Sequence, residues 1–285
     1  MSIPKKGPLA GRTALITGAS RGIGAAIALR FAAAGANVTL LATSGQPRPN
    51  RLPGTVYSVA EQVTEAGGKA LAVVGDIRKD DDVEAAVART VEEFGGLDIV
   101  VNNAAAFDTT PTSAIAMKKY DLVHAINARG SFLVSRTALP HLDKSAAGHI
   151  LTISPPLDLS GQWLGSHLAY TASKYAASLN TLGLAAELAD RGIAANSLWP
   201  RTAVGTEAIR VILGEEVAGK RARTPAVMAD AALAIVSRDP RSFTGQLVTD
   251  EEVLRSEGVT DFSSYRLDGE ESDLELSFFL PETTE

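Results

Sequence analysis

Thr17-Gly18-Ala19-Ser20-Arg21-Gly22-Ile23-Gly24 is the stretch from which the rest of the sequence can be read. An apolar run at 13–17 leads into it, and a helical pattern at 22–34 leaves it. Glycines at 18, 22 and 24 remove β-carbons where a chain turns sharply from strand to helix. The N–H groups that open such a helix have no partners inside it and attract an anion, a pyrophosphate above all. The spacing is G-x-x-x-G-x-G, distinct from the G-x-G-x-x-G of the standard dinucleotide fingerprint.

Outward from this loop, short β-branched or leucine-rich runs recur at 37–41, 70–74, 98–102, 149–153, 193–198 and 246–249. Helical patterns fill the intervals at 56–66, 80–94, 118–142, 167–190 and 225–237. This alternation predicts an α/β fold: a single-domain, Rossmann-type, doubly wound parallel sheet of about seven strands with helices on both faces. One domain is expected over residues 1–285, its core at about 9–250 and a C-terminal extension at about 251–285. Pro47, Pro49 and Pro53 make 43–54 a surface loop. Residues 200–224 mix glycines with the apolar Ile209, Val211, Ile212 and Leu213, as a lid over a pocket would. In the extension, the acidic run 268–273 precedes an apolar 274–280, which is expected to pack on its own domain or on a neighbouring subunit.

Composition removes several function classes. The 285 residues carry 33 acidic and 27 basic side chains, a formal charge of −6, so clustered cations for nucleic acid or anionic lipid are not expected. No cysteine is present, which excludes disulfides and thiolate chemistry, and the four histidines lack metal-ligand spacing. No run approaches the length of a membrane span, so a soluble, cytoplasmic protein without membrane insertion is expected.

The second strand's end selects the dinucleotide, because an acid there accepts from the ribose 2′-hydroxyl and repels a 2′-phosphate. Thr39-Leu-Leu-Ala-Thr-Ser44 has no acid. Arg21 can pair with a 2′-phosphate and Thr43 and Ser44 can donate to it, with Arg48 and Arg51 further along the loop. NADP is therefore expected as cofactor, with NAD the alternative. Asp76, next to Ile77, either accepts from the adenine amino group or caps a helix. Tyr170-Thr-Ala-Ser-Lys174 puts a phenol and an ammonium on one helical face at i, i+4, where the cation is expected to lower the phenol's pKa.

Order and spacing together resemble the short-chain dehydrogenase/reductases, over nearly the whole chain from Leu9 to about Asp250. The resemblance rests on 17–24, Asp76, Asn102-Asn-Ala-Ala105, Asn127, Tyr170 with Lys174, and Pro200. It implies that Tyr170 is the acid/base, that Lys174 binds the nicotinamide ribose, and that Asn127 holds a proton-relaying water. It further implies a cofactor lined by Gly18, Ser20, Arg21, Gly22, Ile23, Gly24, Thr43, Asp76, Ile77, Asn103, Ala104, Ala105, Tyr170, Lys174, Pro200, Thr202, Val204 and Thr206. Members commonly form dimers or tetramers, so a homodimer or homotetramer is expected.

Three positions depart from the family. Where it places a second Ser after the fifth strand to bind the substrate oxygen, this chain reads Ile153-Ser-Pro-Pro-Leu157, which leaves Ser154, and more weakly Ser160, as the hydroxyl donor. Ala105 and Arg201 replace glycines. Arg201 is expected to meet an acidic head of the substrate or to cap a carbonyl. Trp163, Leu164, Trp199 and the lid residues suggest either an apolar pocket or core packing. The reading is an NADP-preferring oxidoreductase acting on a small apolar carbonyl or secondary alcohol of lipid, steroid or terpenoid type. Its rival is a dinucleotide-binding sensor or scaffold with little turnover.

Overall fold

The structure, a computed structural model, describes residues 7–47, 52–207, 209–210 and 214–281. Seven parallel strands form one sheet: β1 Thr13–Thr17, β2 Asn37–Ala42, β3 Lys69–Val74, β4 Ile99–Asn102, β5 His149–Ile153, β6 Ala194–Trp199 and β7 Leu247–Thr249. Their order, β3-β2-β1-β4-β5-β6-β7, reverses direction between β1 and β4. At such a switch point the crossovers diverge to opposite faces and open a crevice beyond the strands' C-terminal ends.

Successive strand residues feed two cores. Ala14 and Ile16 of β1 pack with α1 (Gly22–Ala33) and the helix Ala226–Ser237, while Leu15 between them packs with the helix Asp80–Phe94. Because both faces are covered, the strands are buried throughout, as in all five residues of β1 and all four of β4. The sheet and its flanking helices match the sequence expectation closely.

The predicted helix 118–142 is divided. An α-helix, Met117–His124, passes into a π-helical turn, Ala125–Gly130, and then into Ser131–Leu142. A π turn adds a residue to the helical circuit and recurs at functional sites. Here Ser131 Oγ donates to the Asn127 carbonyl at 2.6 Å, and Gly130 lies against Ile77, where a Cβ would come within 2.7 Å of Ile77 Cδ1.

The C-terminal extension folds back on its own chain. After the short helix Asp250–Ser256, the segment 274–281 runs beside the loop after β6. Ala203 N donates to Glu275 O at 2.8 Å, Ser277 N to Arg201 O at 3.1 Å, and Trp199 Nε1 to Phe278 O at 2.8 Å. Arg223, fully buried, ties the extension down through Glu251 at 2.5 Å and through Glu271, with its guanidinium over the Phe262 ring. Among the described residues no helix is long and apolar enough to cross a membrane.

Candidate active site

A cleft of about 460 Å³ opens at the switch point, floored by the ends of β1, β2, β4, β5 and β6. Its lining includes Gly18, Ser20, Arg21, Gly22, Ile23, Thr43, Asp76, Ile77, Asn103, Ala104, Ala105, Tyr170, Lys174, Pro200 and Thr206 from the sequence-derived set. Gly24, Thr202 and Val204 do not line it, and Arg48, Arg51, Val211, Ile212 and Leu213 lie outside the described residues.

The phosphate end is fixed by close packing. Gly18 and Gly22 adopt φ of +66° and +56°, a region side chains disfavour. A Cβ on Gly24 would come within 2.5 Å of Asn103 Nδ2, whose amide donates to Thr17 O at 2.9 Å and Gly18 O at 3.2 Å. Thr17 Oγ1 accepts from the N–H groups of both Asn103 and Ala104 at 3.0 Å, locking the loop after β4 against the loop after β1. The first turn of α1 has no side-chain cap and no acid. Its N–H groups therefore fit an external anion, and the cleft as a whole fits a dinucleotide.

Beside the end of β2 a polar recess of about 270 Å³ is lined by Arg21, Thr43, Ser44, Gln46, Leu52, Asp76 and Arg78. Arg21 donates to Ser44 Oγ at 3.1 Å and to the carbonyls of Leu52, Pro53 and Gly54, holding the loop after β2 in place. Asp76 is engaged by Arg78, whose Nε lies 2.9 Å from both carboxylate oxygens and holds that carboxyl below its ordinary range. Arg78 escaped the sequence reading. Its only signal was its position two residues after Asp76.

At the other end Tyr170 and Lys174 share the cleft wall, one helical turn apart on Leu168–Leu188. Both are buried. Lys174 Nζ donates to Ile153 O at 2.5 Å and lies 4.9 Å from the Trp199 ring centroid. Burial pushes the ammonium down to about 7 and raises the phenol well above its usual value. The expected lowering of the phenol by its neighbour is thus absent here, and burial alone sets the direction of its shift.

Asn127 sits in the π turn and clamps the loop after β4. Its Oδ1 accepts from Ala106 N at 2.8 Å, and its Nδ2 donates to Ala106 O and Ser173 Oγ, both at 2.9 Å. It does not line the cleft.

Ser154 does not line the cleft. It is fully buried, with its Oγ 2.8 Å from Ser197 Oγ in β6. Ser160 is exposed at the start of the helix Gly161–Ser166. Arg201 lines a separate depression with Arg255 and Leu280, and its N–H donates to Asp250 Oδ1 at 2.7 Å. The tryptophans divide: Trp199, though buried, lines the cleft, whereas Trp163 packs 5.7 Å from Phe278 and 5.5 Å from Phe279, ring to ring.

The extension supplies the wall around Tyr170. Phe279, fully buried, lies 5.9 Å from the Tyr170 ring, Phe107 meets that ring edge-on at 4.9 Å, and Phe278 stacks on Phe107 at 6.0 Å. Sequence alone flagged 274–280 as apolar without giving it this position.

This combination of a glycine loop at the switch point with a Tyr and Lys one turn apart is that of a dinucleotide-dependent dehydrogenase, and residues 12–212 match the short chain dehydrogenase family. The chain belongs to that family, whose members are oxidoreductases that bind NAD(P). It is 50% identical over 263 residues to hydroxysteroid dehydrogenase-like protein 2 of Danio rerio, covering 92% of this chain and 62% of that protein. The chain thus spans a little under two thirds of that relative's length. A short chain dehydrogenase from Mycobacterium thermoresistibile superposes with a TM-score of 0.90 at 46% identity, covering 96% of each chain. A metagenomic short-chain oxidoreductase solved with NADP superposes at 0.70 with 26% identity, over 85% of this chain and 98% of its own.

Proposed function

We propose that the chain forms one dehydrogenase domain, its extension included, that uses NADP in preference to NAD to interconvert an apolar carbonyl and its secondary alcohol, of lipid, steroid or terpenoid type. The observation that carries this reading is the placement of Tyr170 and Lys174 in the same cleft as the uncapped N-terminus of α1. Arg21, Arg78, Thr43 and Ser44 around the recess beside the end of β2, with no acid ending that strand, support the preference for a 2′-phosphate. The NADP held by the metagenomic relative is consistent with it. Rings around Tyr170 and the buried Trp199 favour an apolar substrate body.

The dinucleotide, when bound, supplies or accepts the hydride. Tyr170 carries the proton: with its pKa raised, the phenol is protonated at neutral pH and gives that proton to the substrate oxygen in reduction. Lys174, lowered to about 7 by burial, would hydrogen-bond the cofactor ribose and assist the phenol when the reaction runs toward the carbonyl. Asn127 positions Ala106 and the loop after β4. Phe107, Phe278 and Phe279 exclude water. A homodimer or homotetramer is supported by exposed Phe132, Leu168 and Leu179 on the helices after β4 and β5. One observation favours the second reading, a dinucleotide-binding protein with little turnover: no hydroxyl from the end of β5 lines the cleft.

Tyr170→Phe separates the readings. It is expected to leave NADPH affinity within about twofold while lowering NADPH oxidation with apolar aldehydes, ketones and quinones by 10²-fold or more. Unchanged turnover in the variant would overturn the assigned role. Tight NADPH binding without turnover in the parent protein would favour the second reading.

A further inference from the structure

The carbonyl reduction proposed above needs a second hydrogen-bond donor for the substrate oxygen, because the proton donor alone leaves the developing charge half-supported. The hydroxyls near Tyr170 are committed elsewhere. Ser154 pairs with Ser197, Ser178 Oγ donates to Pro155 O at 2.6 Å, Thr171 Oγ1 to Trp163 O at 2.9 Å, and Ser173 Oγ to Tyr170 O at 2.7 Å.

Of the rings packed on Tyr170, those of Phe107 and Phe279 carry no polar atom. The third is His167, centred 6.2 Å away and three residues earlier, at the cap that precedes the helix Leu168–Leu188. His167 is only 8% exposed, and its Nε2 is shielded from solvent with no hydrogen-bond partner. A native protein rarely leaves a buried ring nitrogen unpaired, since its hydration is lost without return, unless a ligand completes it. Phe278 and Phe279 hold the imidazole in place at ring separations of 5.1 and 6.2 Å.

We propose that His167, through Nε2–H, is the second donor to the substrate carbonyl oxygen and takes the place of the missing serine. Burial favours the neutral imidazole, so one nitrogen donates while the ring carries no charge. In reduction the hydride and its electron pair go from the reduced dinucleotide to the carbonyl carbon, breaking the C–O π bond. The Tyr170 proton goes to the oxygen. His167 keeps its proton throughout and stabilises the oxygen as charge develops, as a neutral imidazole can.

The test is NADPH oxidation with benzaldehyde, 2-decanone and 9,10-phenanthrenequinone by His167→Phe, His167→Gln, Trp163→Phe and Tyr170→Phe. His167→Phe keeps a ring against Phe278 and removes both nitrogens. Its kcat is expected to fall about 10²-fold, with NADPH affinity and Tm unchanged, while His167→Gln, which retains an N–H donor, recovers at least about a tenth of the parental kcat. Trp163→Phe tests the other shielded, unpartnered ring nitrogen nearby and is expected to stay close to the parent. A His167→Phe kcat within about threefold of the parent overturns the inference while leaving the Tyr170 mechanism intact. A loss confined to Trp163→Phe does the same and moves the donor to the indole. No turnover by the parent with any of the three carbonyls overturns the proposed function and this inference together. Should His167→Phe unfold, ¹⁵N-histidine NMR of the parent with NADP⁺ and benzaldehyde decides: the His167 Nε2–H proton moves downfield on binding, and an unmoved signal overturns the proposal.

Discussion

Arg21 holds the loop after β2 through three carbonyls and Ser44, and the same guanidinium borders the recess in which a 2′-phosphate would sit. A charge-assisted hydrogen bond contributes about 1.5–3 kcal/mol, so Arg21→Ala is expected to weaken NADPH binding about tenfold or more. NADH, which lacks the phosphate, should lose no more than about threefold from the loosened loop. Fluorescence titration with both nucleotides checks this, and equal losses would remove Arg21 from phosphate recognition. Arg21, Tyr170 and Lys174 were legible in the sequence because local geometry fixes them: a glycine turn and one helical turn place the side chains whatever lies around them. Ser154 was not, because its direction depends on which face of β5 it occupies as the strand ends, and a sequence-distant serine in β6 claims its hydroxyl. Arg78 and His167 act through neighbours that only the folded chain assembles.

At the scale of elements, the seven strands could be read because each is a compact apolar run between helical patterns. The π turn could not, since it comes from tertiary ties: Asn127 pinned to Ala106, and Gly130 pressed on Ile77. The tail was half legible, as an apolar segment whose resting place depends on where β6 ends. Phe279 adopts φ of +68°, unlike every other non-glycine residue among those described, and its fully buried ring offsets that strain through contacts with Tyr170, Tyr175 and Trp199. Phe279→Ala keeps the strained backbone and removes the ring, at an expected cost of about 3–5 kcal/mol. The midpoint of urea unfolding should fall accordingly. A loss below about 1 kcal/mol would mean that the tail is not packed over the Tyr170 ring in solution.

Across the whole molecule, two buried groups on different elements set opposing responses to acid. His149, on β5, is held down to about 4 by burial and by the charge of Arg12. Below about 6.5 an unfolded histidine takes a proton that His149 refuses, so its contribution to stability falls as pH drops from there toward 4. Asp250, beneath the loop after β6, is raised to about 6 by burial, even though its Oδ1 accepts from Arg201 N and Glu251 N at 2.7 and 2.8 Å. Unfolded, that carboxyl ionises near 3.9, so the folded state gains on the unfolded one as pH falls through the same window. Shifts of this size correspond to roughly 3 kcal/mol each and largely cancel. Asp250→Asn keeps the acceptor oxygen and removes the ionisation. It should therefore be more stable than the parent by about 2–3 kcal/mol at pH 7, where the parent holds a buried charge, and lose that advantage as pH approaches 4, where the parental carboxyl is neutral as well. Urea unfolding of both proteins at pH 4, 5, 6 and 7 measures the difference, and a constant offset across the series would show that Asp250 does not titrate in this range.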